Sequence, residues 1–170
     1  MRKLVYKDRL ISVYEKSYRR SGSKSFVQID ERDAVVVVPL LDNGKIVLER
    51  QFRPAIGRWL YELPAGHVDS GEEYVKTARR ELREETGYRA GWLKRLFTAY
   101  PAPGIITQRQ VYFLAENLVS GDTELEDDER IKIFEYTLNE LLRMIKGGRI
   151  IDNKTIAGIL YYSEFVKRNG

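Results

Sequence analysis

At 170 residues, with a net charge of +4 and charged side chains at 32% of positions, the chain suits one domain with a buried core. The basic balance suits an anionic substrate, and because basic and acidic residues are interspersed no nucleic-acid stripe is evident; the absence of cysteine excludes a disulfide framework and a thiol nucleophile. No apolar run approaches bilayer-spanning length and Met1 to Asp8 lack the apolar core of a signal peptide, so no membrane partner and a cytoplasmic location are expected.

In chain order, Leu10–Tyr14 and Ser25–Ile29 alternate polar and apolar residues and read as strands of a hairpin or small sheet, with Ser21-Gly22-Ser23 between them. Ala34 to Leu41 is a nearly continuous β-branched run, the pattern of a buried strand. Asp42-Asn43-Gly44 then reads as a turn and Lys45 to Arg50 as the partner strand. A helix follows, with Ser70 as N-cap, Glu73 completing a capping box and Gly87 as left-handed C-terminal cap. Trp92–Ala99, Arg109–Ala115 and Ile131–Tyr136 read as strands. Leu138–Ile145 reads as a helix ended by Gly147-Gly148. Asn153–Lys167 is the last helix, with Ile156, Ile159, Leu160 and Phe165 available for its buried face. The class is α+β, a mixed sheet flanked by helices, with residues 1–33 forming a strand element ahead of a main domain over 34–170.

Chemistry concentrates on the helix before Gly87. At roughly 100° per residue, Val75, Ala78 and Leu82 share an apolar face, with Glu85, Glu81 and Glu84 beside it; Lys76, Arg79, Arg80 and Arg83 fall on the other flank. Glu72–Lys76 and Arg80–Glu84 would be ordinary i,i+4 pairs of a solvated helix. That reading leaves the clustering of three carboxylates unexplained, since like charges at this spacing repel. A divalent cation explains it. Glu81 and Glu85, one turn apart, can reach one ion and Glu84 a second. Metal-activated water and a neutralised diphosphate together imply hydrolysis of a phosphoric anhydride. His67, the single histidine, makes no triad and is expected to be a solvated loop side chain.

The stretch from Gly66 to Tyr88 resembles the Nudix box, G-x5-E-x7-R-E-U-x-E-E-x-G-U, where U is bulky and aliphatic. Gly66, Glu72, Arg80, Glu81, Leu82, Glu84, Glu85 and Gly87 stand in register, and Tyr88 alone departs. Arg50-Gln51-Phe52-Arg53-Pro54 with Tyr61-Glu62-Leu63-Pro64-Ala65-Gly66 resembles the lead-in of ADP-ribose pyrophosphatases. Tyr100-Pro101-Ala102-Pro103-Gly104 is similar to their Pro-Gly loop, and Asn153 to Gly158 to the start of their last helix.

This resemblance implies an α/β/α Nudix sandwich that hydrolyses ADP-ribose to AMP and ribose 5-phosphate with Mg²⁺, or with Mn²⁺ in its place. Glu81, Glu84 and Glu85 would be metal ligands, with the Ala65 carbonyl beside them. Gly66, Glu72, Arg80 and Gly87 would be structural. Arg53, Glu62, Pro103, Gly104 and Ile105 would bind substrate. A homodimer exchanging N-terminal strands is implied too. Rival readings are another nucleoside diphosphate sugar or dinucleotide as substrate, or a non-catalytic module that senses a nucleotide or RNA. Many of these relatives carry an acid where this chain has Gln108, which cannot act as a base. The expected base is therefore Glu129, at the end of the acidic run Glu124–Glu129, where some relatives lacking the first acid carry a glutamate.

Overall fold

The computed structural model describes residues 2–17, 25–123 and 131–167. They form β1 (Arg2–Lys7), β2 (Ile11–Ser17), β3 (Ser25–Glu31), β4 (Ala34–Pro39), β5 (Lys45–Arg53), β6 (Arg58–Glu62) and β7 (Ala65–His67). Helix α1 (Tyr74–Thr86), β8 (Arg89–Ala99), β9 (Gln110–Val119), β10 (Ile131–Thr137), α2 (Leu138–Lys146) and α3 (Asn153–Tyr161) follow.

The run Ala34–Pro39 is apolar at nearly every position because both faces of β4 are covered. Val35 and Val37 pack with Ala78 and Leu82 of α1 on one side. Val36 and Val38 pack with Leu141 of α2 and Ile159 of α3 on the other. That is the α/β/α sandwich, an α+β fold. β4 runs parallel to β9 and antiparallel to β7, in a sheet ordered β7-β4-β9-β8; a second sheet is ordered β10-β5-β6. Both edges of β4 are thus hydrogen-bonded, and no edge is left for β5. Lys45–Arg50 is therefore not the hairpin partner of β4 that the turn at Asp42–Gly44 suggests. A single bridge, Leu40 to Ile46, joins the two before the chain crosses to the second sheet.

Helix α1 begins at Tyr74, not after Ser70. Its N-cap, Glu73, makes no side-chain capping bond. Two features keep residues 70–73 out of the helix. Gly71 has φ +80°, in the left-handed region, and the Glu72 carboxylate is turned to Arg80. Val75 is exposed, and the buried face is Thr77, Ala78, Leu82, Glu85 and Thr86. Gly87 caps the helix at φ +75°, where a Cβ would also meet the Gly121 carbonyl oxygen at 2.3 Å. The last helix is regular only to Tyr161 and continues as a π-helical turn over Tyr162–Val166. It buries Thr155, Gly158, Ile159 and Tyr162, while Leu160 and Phe165 face outward.

Strands β1, β2 and β3 form a separate antiparallel sheet. The Ile29 amide donates to the Ile105 carbonyl at 2.7 Å and the Thr107 amide to the Ile29 carbonyl at 3.0 Å, tying β3 to the body. β1 is exposed along its length, and Leu4, Val5, Tyr6, Phe26 and Val27 all stand in solvent.

Candidate active site

A cleft of about 590 Å³ opens where the two main sheets, α1 and the start of α3 meet. Its walls carry Gln51, Arg53 and Glu62 from the second sheet, Ala65 to His67 from β7, and Arg80, Glu81 and Glu85 from α1. Asp152 to Lys154 close one end; Arg9, Leu10, Glu31 and Arg32 border it from the N-terminal sheet.

Glu81 and Glu85 reach this cleft because α1 packs its Ala78–Leu82 stripe on β4 and turns the adjacent flank to β7. Glu85 is 4% exposed, and one of its oxygens accepts the Ala65 amide at 3.0 Å. Glu81 lies so close to the backbone of β7 that a Cβ on Gly66 would stand 2.0 Å from its carboxyl carbon. The demand at Gly66 is therefore for space and not for a special φ. Gly66→Ala adds a methyl that only a swing of Glu81 can accommodate. A misplacement near 1 Å costs catalysis about 10²-fold, so kcat should fall by about that factor while the melting temperature holds. Parent kcat in the variant would mean that Glu81 has no catalytic placement.

Arg80 does not keep to the basic flank. Its guanidinium bonds both oxygens of Glu72, at 3.2 and 3.1 Å, and reaches Glu81 at 2.7 Å, Glu84 at 3.1 Å and the His67 carbonyl at 3.2 Å. It thus binds the loop before α1 to the helix itself. The Arg80 hydrogen bonds, above all, hold the Glu72 carboxyl down at about 2. Being depressed from its ordinary 4.5, this group lends its full stability above 4.5 and loses it progressively as pH falls from there through about 2. Glu84 lies outside the cleft walls, between Arg80 and Arg83.

On the opposite wall the Arg53 guanidinium grips Glu62 through Nε at 2.8 Å and Nη2 at 2.6 Å. Glu62 is 1% exposed and also takes the Lys154 ammonium, which in turn meets Asp152 at 3.1 Å. Burial alone would push the Glu62 carboxyl up; the Arg53 hydrogen bonds and the charge of Lys154 outweigh it and keep it below its usual range. The same bonds raise Arg53. Thr155 accepts the Leu63 amide at 2.8 Å, and Gly158 sits where a Cβ would strike Leu63 at 2.6 Å. The Asn153–Gly158 segment thus seats α3 against β6 and delivers Lys154 to Glu62.

His67 is not a solvated loop side chain. It is partly buried on the cleft wall, 3.0 Å from a Glu31 oxygen and 3.4 Å from the Gln108 amide nitrogen. Gln108 is 7% exposed and donates to the Arg32 carbonyl at 3.0 Å, a bond no carboxylate can make. Pro103, Gly104 and Ile105 are exposed and lie outside the cleft walls, and the Ile105 carbonyl accepts the Ile29 amide of β3. Glu129 lies outside the described residues.

Residues 30–157 match the family model described as NUDIX domain, and the chain belongs to the Nudix family, as a hydrolase of pyrophosphate bonds. It is 34% identical over 161 residues to an ADP-ribose pyrophosphatase of Bacillus subtilis (strain 168), covering 92% of this chain and 87% of that one. It is 37% identical over 136 residues to a GDP-mannose pyrophosphatase of Escherichia coli O1:K1 / APEC, covering 72% and 70%. A crystal structure of an ADP compounds hydrolase superposes with a TM-score of 0.86, over 100% of this chain and 94% of the other; at 22% identity that likeness concerns the fold.

Proposed function

We propose that the protein hydrolyses ADP-ribose to AMP and ribose 5-phosphate with a divalent cation, Mg²⁺ or Mn²⁺. The observation that carries this reading is one cleft with two opposed walls. Acidic Glu81 and Glu85 stand on one, and Arg53, fixed by Glu62 and Lys154, on the other.

The donor set fits a hard cation. Among the described residues no three acidic or histidine side chains close into a cage. Mg²⁺ rarely takes one; it is bound by one or two carboxylates together with substrate phosphates. Glu81, Glu85 and the Ala65 carbonyl would hold it, with Glu84 available from the next position on α1. A divalent cation bound there supplies neutralisation of phosphate charge and acidification of water. Arg53, with Nε and Nη2 committed to Glu62, has Nη1 for a phosphate oxygen, and its fixed plane orients the diphosphate. The water oxygen bonds to one phosphorus as the bond from that phosphorus to the bridging oxygen breaks. The bridging oxygen leaves with the other phosphate, and the water proton passes to a base, which we assign to Glu129.

Both ADP-ribose and GDP-mannose are diphosphates joining a nucleoside to a sugar, so the experiment is a panel. Purified protein with Mg²⁺ is offered ADP-ribose, GDP-mannose, diadenosine polyphosphates and nucleoside triphosphates. ADP-ribose is expected to show the highest kcat/KM. A higher value for a triphosphate would remove the substrate assignment.

The protein is also proposed to work as a homodimer through residues 1–33. The exposed Leu4, Val5, Tyr6, Phe26 and Val27 of the N-terminal sheet support this, since such side chains on one small sheet mark an interaction surface. Sedimentation at micromolar concentration should give twice the chain mass, and Val5→Lys with Val27→Lys should shift it toward the monomer. A parent protein that sediments as a monomer would remove the dimer.

A further inference from the structure

We infer that Gln51 and Gln110 form an uncharged hydrogen-bonding subsite for sugar hydroxyls. The inference rests on the cleft acting on a nucleoside diphosphate sugar. Gln51 lies on β5 two residues before Arg53, so both side chains leave the same face of the sheet, about 7 Å apart. Its neighbour across the ladder is Leu60 of β6, which offers no polar side chain. Gln51 is 8% exposed and lines the cleft. Its Oε1 is buried and, among the described residues, accepts no hydrogen bond. A buried amide oxygen without a donor is costly, and in a cleft wall the missing donor belongs to whatever fills the cleft.

Gln110 supplies the complementary group. It opens β9 beside Ala34 of β4, is 9% exposed and lines the same cleft. The Tyr112 hydroxyl donates to its Oε1 at 3.1 Å. Burial pushes the Tyr112 phenol well above its ordinary range, so it remains a donor. This bond takes the carbonyl side of the Gln110 amide and leaves Nε2 to donate.

An acceptor at Gln51 and a donor at Gln110 match a hydroxyl, which is both. They do not match a further phosphate, which would bring its oxygens against the Gln51 oxygen. A diphosphate gripped by Arg53 places the sugars on either side of it within reach of that wall.

The test is Gln51→Met, which keeps the length of the side chain and removes its acceptor. Steady-state kinetics are measured with ADP-ribose and with the methyl ester of ADP, which lacks the distal sugar. For ADP-ribose, KM should rise about tenfold with kcat within about threefold, the effect of one lost hydrogen bond. Under twofold change for the methyl ester assigns the contact to the distal sugar. An equal rise for both esters, at an unchanged melting temperature, assigns it to the adenosine ribose they share. Unchanged KM for both would show that water alone satisfies Oε1 and would overturn the subsite. So would a fall in kcat for both together with a lowered melting temperature. Should the parent not hydrolyse ADP-ribose, the proposed function fails by itself. The subsite is then read with the nucleoside diphosphate sugar that the panel identifies and the matching methyl ester.

Discussion

Glu85→Gln and Glu81→Gln are each expected to lower kcat by at least about 10²-fold, the scale of losing one preorganised charged group at a reacting centre. Both carboxylates stand on the cleft wall, and Glu85 is almost wholly buried. The amide of a glutamine is nearly the same size and its oxygen can still accept the Ala65 N–H, so the backbone contact of Glu85 survives. What disappears is the negative charge. Glu84→Gln is the internal control. Glu84 lies toward Arg80 and Arg83 and off the cleft wall, so its loss should be smaller than that of either neighbour. The measurement is kcat on ADP-ribose across a Mg²⁺ titration, with thermal melts to show that each variant folds. Parent rates in both Glu81→Gln and Glu85→Gln would place the reaction elsewhere.

The carboxylates that this experiment removes were legible in the sequence because their register is local. Glu81 and Glu85 are one helical turn apart, and Gly66 and Gly87 bracket them. The start of the same helix was not legible. Ser70 and Glu73 spell a capping box, but Gly71 in the left-handed region and the Glu72–Arg80 bonds hold that stretch as a loop. Here a tertiary ion pair overrides a local preference. The β4 run announces burial on both faces, yet nothing in it says that β9 and β7 take its edges and displace β5. Short β6 and β7 carry no alternation long enough to read.

Residues of the site that depend on distant partners were the least visible. Lys154 meets Glu62 across 92 residues of sequence, and His67 meets Glu31 across 36. In the sequence Lys154 is one cation of many near a helix start, and His67 a lone loop histidine. Only the docking of α3 on β6, and of the N-terminal sheet beside β7, turns them toward one cleft. Gln108 is the opposite case. Its departure from the acidic pattern was plain, while its reason, the bond to the Arg32 carbonyl, belongs to the fold.

Glu129→Gln is expected to lower kcat by more than about 10²-fold, within the range that a positioned proton acceptor contributes. Gln108 is committed to the Arg32 carbonyl, and an amide cannot take a proton. The base must then come from another segment. Ile131, the first residue of β10, pairs with Gln51 on β5, and Gln51 lines the cleft. Glu129 stands two residues before Ile131 in the sequence. That sequence position is the reason to test Glu129 first. Glu126, three residues further back in the same acidic run, serves as the control. Under saturating Mg²⁺, a loss confined to Glu129→Gln supports the assignment. Equal losses in Glu126→Gln and Glu129→Gln would point to the summed charge of the run and not to one base. Near-parent rates in both would return the proton to a glutamate of α1, Glu84 or Glu85.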